Sequence, residues 1–104
     1  DATKQKRRVL FTRAADLVNR SAAALFAAGQ DCGEAANLAK LLASEAAWHA
    51  ADAAMQTHGG FGYAREYDIE RKWRDTRLFQ IAPISTNLIL SYLGEHVLGM
   101  PRSY

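Results

Sequence analysis

Cysteine, proline and long apolar runs are scarce in this 104-residue sequence, and each scarcity excludes a class of protein. The single cysteine, Cys32, excludes a disulfide within the chain, so we interpret it as a small loop residue. Only two prolines occur, and no apolar run approaches the roughly 18 residues that a bilayer-spanning helix needs. We therefore expect a soluble, cytoplasmic chain with no membrane span.

Net charge is also small, at +2 from 13 Lys and Arg against 11 Asp and Glu. Positive charge is concentrated only near the N-terminus, at Lys4, Lys6, Arg7 and Arg8. No aromatic residues for base stacking are interleaved with this basic cluster. We interpret it as the solvated start of a helix and expect no nucleic-acid partner.

Alanine is abundant, with 20 residues, and apolar residues recur at helical spacing throughout the chain. The pattern predicts four helices, which run from about Thr3 to Gly29, from Cys32 to Thr57 or His58, from Tyr67 to Leu78, and from near Pro83 to Gly99. Short connections between long helices favour antiparallel neighbours. The sequence therefore predicts an all-α fold, an antiparallel helical bundle that forms a single domain over residues 1–104.

Local signals predict the helix ends and faces. Gly29 suits a left-handed C-terminal cap, and Asp31 with Glu34 has the spacing of a capping box. Pro83 is placed where proline is tolerated in the first turn of the last helix. The first helix is predicted to pack through one apolar face: Leu10, Ala14, Leu17, Val18, Ser21, Leu25 and Ala28.

Charged residues on the later helices predict contacts between and within helices. Glu45 and Asp52 lie on or near the apolar face of the second helix, where we expect them to form side-chain hydrogen bonds between helices. Glu70 is four residues before Arg74, which favours an ion pair on the shorter helix.

Two chemistries that occur on helical bundles are not supported by the spacing. A di-iron centre needs Glu-x-x-His, but Glu45 and His49 are four residues apart and Glu95 and His96 are adjacent, so no metal site is predicted. A hydrolase triad is likewise not supported, because no serine lies in a Gly-x-Ser-x-Gly turn. His58 ends the second helix, where a cap that favours the helix dipole is a better interpretation than a catalytic base.

Between the second and third helices lies the segment His58-Gly59-Gly60-Phe61-Gly62-Tyr63. Three glycines permit backbone conformations that other residues resist, and they also allow a backbone to approach a phosphate or ring closely. The glycines alone favour a tight structural turn over a ligand site.

A longer pattern around this segment resembles the C-terminal domain of the acyl-CoA dehydrogenase family. The resemblance is carried by Gln56 to Tyr67, then Ile69-Glu70-Arg71, then Arg74-Asp75-Thr76-Arg77, in the order and at the spacing of that family. Ala39 to Glu45 also resembles the family's second long bundle helix. Nearly the whole chain is covered, most strongly from Leu38 to Gln80.

The resemblance implies an FAD cofactor and α,β-dehydrogenation of an acyl-CoA substrate, with hydride transfer to the flavin. By position, it implies that Gln56, Gly59 and Gly60 contact the pyrophosphate or adenosine part of an FAD bound mainly by a neighbouring subunit. Ser85 and Asn87 correspond to further polar contacts to FAD. A homodimer, or a tetramer of two dimers, is implied because the site lies between subunits.

The sequence departs from the family pattern at the catalytic base. Many members have Tyr-Glu-Gly-Thr where this chain has Ala82-Pro83-Ile84-Ser85, and Pro83 in the position of the glutamate cannot remove a proton. No catalytic residue is therefore assigned. Some members supply the glutamate from an earlier helix, which would lie upstream of Asp1.

Length is the second departure, because the family also has an N-terminal helical domain, a β-domain and a first bundle helix. We expect this chain to be the C-terminal part of a longer flavoenzyme, inactive on its own and with exposed apolar faces. Three alternatives remain open: a catalytically inactive partner subunit, a cofactor-free helical assembly domain, and a related flavin oxidase or nitroalkane-type enzyme.

Overall fold

The computed structural model describes residues 2–102, except for the side chains of residues 3–12 and 14. Within this part of the chain lie four α-helices: α1 (Ala2–Ala27), α2 (Gly33–His58), α3 (Ile69–Leu78) and α4 (Thr86–His96). Two short 3-10 helices, Gly59–Tyr63 and Arg65–Tyr67, connect α2 to α3. No strand occurs among these residues, and the prediction of an all-α, four-helix fold is confirmed.

The two long helices α1 and α2, each of 26 residues, pack against each other along their length. Gly29 takes the predicted left-handed conformation, with φ +67°, and its N–H donates to the Phe26 carbonyl at 3.0 Å. The connection is only five residues long, 28–32, which makes the two helices antiparallel neighbours.

The face of α1 that packs on α2 differs in part from the prediction. Its least exposed residues follow the three-and-four spacing of one helix face: Ala15, Val18, Ala22 and Leu25. Leu17 is 68% exposed, because it is two residues after the buried Ala15 and therefore about 200° away from it around the helix axis. Ser21 and Ala28 are also exposed.

Several residues of the first helix lie outside the described side chains. They are Leu10 and Ala14 of the predicted apolar face and Lys4, Lys6, Arg7 and Arg8 of the basic cluster.

The predicted capping box at the start of α2 is wrong. Cys32 is the N-cap residue, and no side chain caps the helix from that position. The Asp31 carboxylate instead accepts from the Gly33 N–H at 2.9 Å, within the turn before the helix. A capping box would have required the N–H of Glu34 as its partner.

The third helix begins two residues later than predicted, at Ile69 rather than Tyr67. Arg65–Tyr67 forms a separate 3-10 helix, and Asp68 then takes a left-handed conformation with φ +55°. Because this conformation is not α-helical, the α-helical hydrogen bonds start after it.

The fourth helix begins at Thr86, so Pro83 lies outside its first turn, contrary to the prediction. Ser85 is the N-cap residue, and its Oγ accepts from the Leu88 N–H at 3.3 Å. The helix ends at His96, before the predicted end at Gly99. A serine N-cap is sufficient to start the helix without proline.

The buried core is small and lies between α2 and its neighbours. Ile89 of α4 is 1% exposed, and Leu41 and Ser44 of α2 are buried. Many large apolar side chains are instead exposed: Leu17, Phe26, Phe61, Tyr63, Leu78, Phe79, Ile81, Leu88, Leu90, Leu98 and Met100. The exposed apolar surface agrees with the expectation from the sequence.

The longest of the described helices, α1 and α2, have 26 residues each. None of the described helices combines the length and apolar composition that crossing a bilayer requires.

Candidate functional site

The glycine segment begins where α2 ends. His58 is in the last turn of α2, and its Nδ1 donates to the Ala54 carbonyl at 2.9 Å, in agreement with its interpretation as a cap. Gly59 follows with φ +56°, and its N–H donates to the Gln56 carbonyl. The positive φ turns the chain away from the helix axis and starts the first 3-10 helix.

The three glycines of this segment have different surroundings. Gly62 is buried, and a Cβ there would lie 2.8 Å from the Met55 carbonyl oxygen and 3.2 Å from the His58 Cβ. Gly60 is exposed, and a Cβ there would meet nothing within 4 Å. Packing within the described chain therefore explains glycine at position 62 and leaves glycine at position 60 without an internal reason.

Aromatic side chains surround this exposed backbone. The ring centroids of Phe61 and Tyr67 are 5.4 Å apart, and those of His58 and Tyr67 are 6.4 Å apart. Phe61 is 65% exposed and Tyr63 is 85% exposed. Gln56, one turn earlier on α2, is also exposed. We call Gln56, Gly59 and Gly60 the glycine surface.

Contacts between aromatic and charged residues fix α3 against α2. Trp73 Nε1 donates to Asp52 Oδ1 at 3.3 Å, which is the inter-helix hydrogen bond expected of Asp52. The ring centroids of Trp48 and Trp73 are 4.8 Å apart, and the Arg77 guanidinium carbon lies 5.3 Å from the centroid of the Trp48 ring. This series of contacts aligns α3 along α2 over about one turn of each helix.

A first recess of about 500 Å³ opens beside these contacts. It is lined by Asp52, Met55, Tyr63, Arg65, Glu70, Trp73 and Arg74. The predicted ion pair is present, because Arg74 Nη2 lies 3.2 Å from Glu70 Oε2. The lining therefore carries both signs of charge beside apolar rings.

A second recess of about 330 Å³ contains the other two predicted site residues. It is lined by Arg77, Gln80, Ile81, Ser85, Thr86 and Asn87, and we call it the Arg77 recess. The Gln80 carbonyl accepts from the Thr86 N–H at 3.0 Å and from Thr86 Oγ1 at 3.1 Å. These two bonds hold the turn before α4 in a fixed position.

Ser85 and Asn87 differ in how much hydrogen-bonding capacity they retain. The Ser85 oxygen already accepts from the Leu88 N–H, which leaves its O–H as a donor. The Asn87 side chain is exposed. Both residues thus keep polar groups that a ligand in the Arg77 recess can use.

The glycine surface lies at the C-terminal end of α2, whereas Arg77 of the recess packs on Trp48, further towards the N-terminus of that helix. Lys40 Nζ donates to the Phe79 carbonyl at the start of the turn that leads to the recess. Trp48 and His58 are 10 positions apart on α2, which corresponds to about 15 Å along the helix axis. The structure therefore does not bring the five predicted site residues together into one cleft.

Two recess residues were not selected from the sequence as site residues. Arg77 and Gln80 are three residues apart, and Arg77 Nη1 donates to Gln80 Oε1. This spacing puts both side chains on one side of the helix end, a signal that the sequence contains.

The resemblance to the family aligns Pro83 with the usual catalytic glutamate, and proline carries no acidic or basic side chain. Pro83 is exposed, and it lies in the turn between α3 and α4 beside the recess residue Ser85. Across the described residues, no group of three or more His, Cys, Asp or Glu side chains is arranged to hold a metal ion.

Comparisons with known proteins identify the family. Residues 9–98 match the family described as "Acyl-CoA dehydrogenase, C-terminal domain". The chain is 44% identical over 92 residues to acyl-CoA dehydrogenase FadE12 of Mycobacterium tuberculosis, covering 86% of this chain and 24% of that protein. It is 38% identical over 92 residues to an acyl-CoA dehydrogenase of Bacillus subtilis, covering 88% and 22% respectively.

A third relative matches a shorter region. The (2S)-methylsuccinyl-CoA dehydrogenase of Cereibacter sphaeroides is 51% identical over 53 residues, which covers 51% of this chain and 10% of that protein. The chain spans at most about a quarter of the length of these curated relatives. The chain belongs to the acyl-CoA dehydrogenase family, and residues 9–98 correspond to the family's C-terminal domain.

Proposed function

We propose that this chain forms the C-terminal helical part of an FAD-dependent enzyme that dehydrogenates acyl-CoA thioesters between the α and β carbons. Its membership of the acyl-CoA dehydrogenase family supports this function. The relatives are four or more times longer than the matched region, so most of the substrate pocket would come from other residues.

The observation that carries the proposal is the open backbone at Gly60. A Cβ at this position would meet nothing within 4 Å, so nothing within the described chain requires glycine there. A cofactor that lies against the backbone does require it, because any side chain would occupy the space of the ligand. The exposed Gln56 amide beside it both donates and accepts hydrogen bonds, which suits phosphate and ribityl groups.

The Arg77 recess would supply a second set of contacts. The Ser85 hydroxyl and the Asn87 amide offer donors to polar atoms of FAD. The recess and the glycine surface do not share one cleft, and as the family resemblance implies, Gln56, Gly59 and Gly60 would contact an FAD held mainly by a neighbouring subunit. When bound, FAD would supply the hydride-accepting chemistry of the reaction.

The chain itself would supply no base. Proline has no group that accepts a proton, so Pro83 would leave removal of the α-proton to a residue outside this segment. A glutamate from an earlier helix would serve this purpose. If the whole protein lacks one, the chain would act as an inactive subunit that completes a neighbour's FAD site.

Exposed apolar residues support a role in subunit contacts. Phe26 is 76% exposed, Leu98 is 73% exposed and Tyr63 is 85% exposed. Burial of such side chains between subunits is favourable by about 25 cal/mol for each Å² of apolar surface removed from water. We propose a homodimer, or a tetramer of two dimers, as the assembled form.

The test of the FAD site is Gly60→Val in the full-length protein. We expect FAD affinity to fall at least tenfold, because the valine side chain would fill the space of the ligand, while the circular dichroism spectrum stays helical. Ala28→Val, on an exposed position beyond α1, is the matched control. Unchanged FAD affinity in the Gly60 variant would remove the glycine surface from the site.

Activity tests the missing base. The purified 104-residue chain, given FAD, acyl-CoA and an electron acceptor, should show no turnover. The flavin absorbance of the full-length protein should decrease when acyl-CoA is added. Turnover by the isolated chain would contradict the proposed role of Pro83, and the absence of bleaching in the full-length protein would favour the inactive-subunit alternative.

A further inference from the structure

Arg77 occupies the Arg77 recess together with five other residues, and its guanidinium is held from two sides. One face lies over the Trp48 ring, with 5.3 Å from the guanidinium carbon to the ring centroid. Nη1 donates to Gln80 Oε1. Gln80 is fixed in turn through its own carbonyl, which accepts two bonds from Thr86. The guanidinium is therefore preorganised before any ligand arrives.

Its charge is not neutralised by a neighbouring carboxylate. The other two arginines of α3 have acidic partners. Arg71 Nη2 lies 3.4 Å from Asp68 Oδ1, and Arg74 Nη2 lies 3.2 Å from Glu70 Oε2. Among the side chains that the structure describes, no carboxylate lies within ion-pair distance of Arg77. A guanidinium has five N–H donors, so most remain available after the bond to Gln80.

The other polar groups of the recess complement such a charge. Thr86 is committed to Gln80, but the Asn87 amide is exposed and the Ser85 O–H remains a donor. No acidic side chain lines the recess. A fixed guanidinium beside neutral donors is the arrangement that binds a phosphate oxyanion through charge-assisted hydrogen bonds.

We propose that Arg77 is a ligand-binding residue that holds a phosphate group of a nucleotide in this recess, and that Trp48 is the positioning residue that orients it. The inference rests on the proposed function, which brings two phosphate-bearing nucleotides to this protein, FAD and the CoA thioester. Arg77 binds one of these phosphates. Separate titrations with the two compounds identify which one.

The experiment measures the dissociation constants of FAD and of acetyl-CoA for the full-length protein by isothermal titration. Arg77→Gln should weaken one of them by about tenfold to hundredfold, as expected for the loss of a charged hydrogen bond. Arg77→Lys, which keeps the charge but loses the planar pair of donors, should recover part of the affinity. Binding of that nucleotide should also become less sensitive to salt in Arg77→Gln.

Two further variants separate ligand binding from folding and from overall charge. Arg71→Gln removes a positive charge from the same helix but outside either recess, so it should leave both affinities unchanged. Trp48→Leu leaves the guanidinium present but removes the ring that orients it. This variant should weaken binding of the same nucleotide whose affinity falls in Arg77→Gln. Thermal unfolding of each apo variant reports any loss of fold independently.

The results distinguish this inference from the proposed function. If Gly60→Val loses FAD while Arg77→Gln binds FAD and acetyl-CoA like the wild type, Arg77 is not a ligand-binding residue and the FAD function stands. Equal losses in Arg71→Gln and Arg77→Gln would likewise overturn the inference, because they would reflect overall charge. A wild-type protein that binds neither compound would overturn both.

Discussion

Trp73 on α3 donates its indole N–H to the carboxylate of Asp52 on α2, over 3.3 Å. The bond is accompanied by ring contact between Trp73 and Trp48, whose centroids are 4.8 Å apart. Arg77 lies over the same Trp48 ring. The short helix α3 is thus held to the long helix α2 by polar and aromatic contacts, since none of its own residues is fully buried.

Removing the acceptor of this bond should loosen α3. We expect Asp52→Ala to lower the free energy of unfolding by about 1 kcal/mol, the usual contribution of one hydrogen bond, because Trp73 loses its partner. Hydrogen exchange of the α3 amides and urea denaturation measure the effect. Asp75→Ala removes a carboxylate from α3 itself and serves as the control. An equal effect of both variants would contradict a specific role for the Asp52 bond.

The glycines at 60 and 62 should respond differently to alanine. Gly62→Ala forces a Cβ to within 2.8 Å of the Met55 carbonyl oxygen, so the turn must shift. We expect a loss of about 1–3 kcal/mol in the free energy of unfolding, typical of overpacking. Gly60→Ala meets open space and should unfold at nearly the same urea concentration as the wild type. Similar midpoints for the two variants would contradict the described packing.

Substitutions at Gly33, the first residue of α2, and at Tyr92 of α4 should have coupled effects on stability. A Cβ at Gly33 would lie 2.7 Å from the Tyr92 hydroxyl oxygen but 3.7 Å from the ring carbon that carries it. Gly33→Ala should therefore displace the Tyr92 hydroxyl, which is the far end of its side chain, and lower the free energy of unfolding by at most about 1 kcal/mol. Adding Tyr92→Phe should restore most of this loss, because the overlapping oxygen is gone.

A double-mutant cycle of these two positions checks the coupling. Tyr92→Phe alone is the necessary control, and the thermal midpoints of all four proteins are compared. Strictly additive effects would show that Gly33 and Tyr92 are not in the described contact.

The N-cap of α4 should contribute to stability independently of any ligand. Ser85→Ala removes the acceptor for the Leu88 N–H and should lower the free energy of unfolding by about 1 kcal/mol. Ser85→Asp keeps an acceptor at this position and should retain most of the stability. Hydrogen exchange at the first turn of α4 in the apo protein gives the measurement. Ser91→Ala, at an exposed position within α4, is the control and should leave that exchange unchanged.

Helical periodicity and glycine placement were sufficient to predict most of the architecture. The end of α2 at His58 and the left-handed Gly29 followed directly from residue type. The exact face of α1 did not, because alanines occupy both sides of that helix and differ little in hydrophobicity. Ala15 packs inward and Leu17 does not, and only the partner helix determines this choice.

Short polar signals were less reliable than periodicity. Asp31 had the right spacing to cap α2 through Glu34, yet its carboxylate bonds one residue earlier, to Gly33. Pro83 was compatible with a helix start, but Ser85 two residues later provides the hydrogen bond that starts α4. Where two residues compete to start a helix, the backbone geometry of the preceding turn decides between them.

Local sequence patterns identified some residues of the candidate site, but contacts between distant parts of the chain determine the others. Gly60 was selected through the resemblance to the family, whereas the proximity of Arg77 to Ser85 and Asn87 depends on how the chain turns at residues 79–85. The cation–π contact with Trp48 joins residues 29 positions apart, which no local pattern predicts.

The length of α2 between the glycine surface and the Arg77 recess has a consequence for mixed assemblies. In the proposed dimer, each FAD would draw on Asn87 of one subunit and Gly60 of the other. A dimer of one Gly60→Val chain and one Asn87→Ala chain would then gather both defects in a single site and leave the second site intact. A heterodimer purified from co-expression of the two defective chains would bind half of the wild-type flavin content, which is intersubunit complementation.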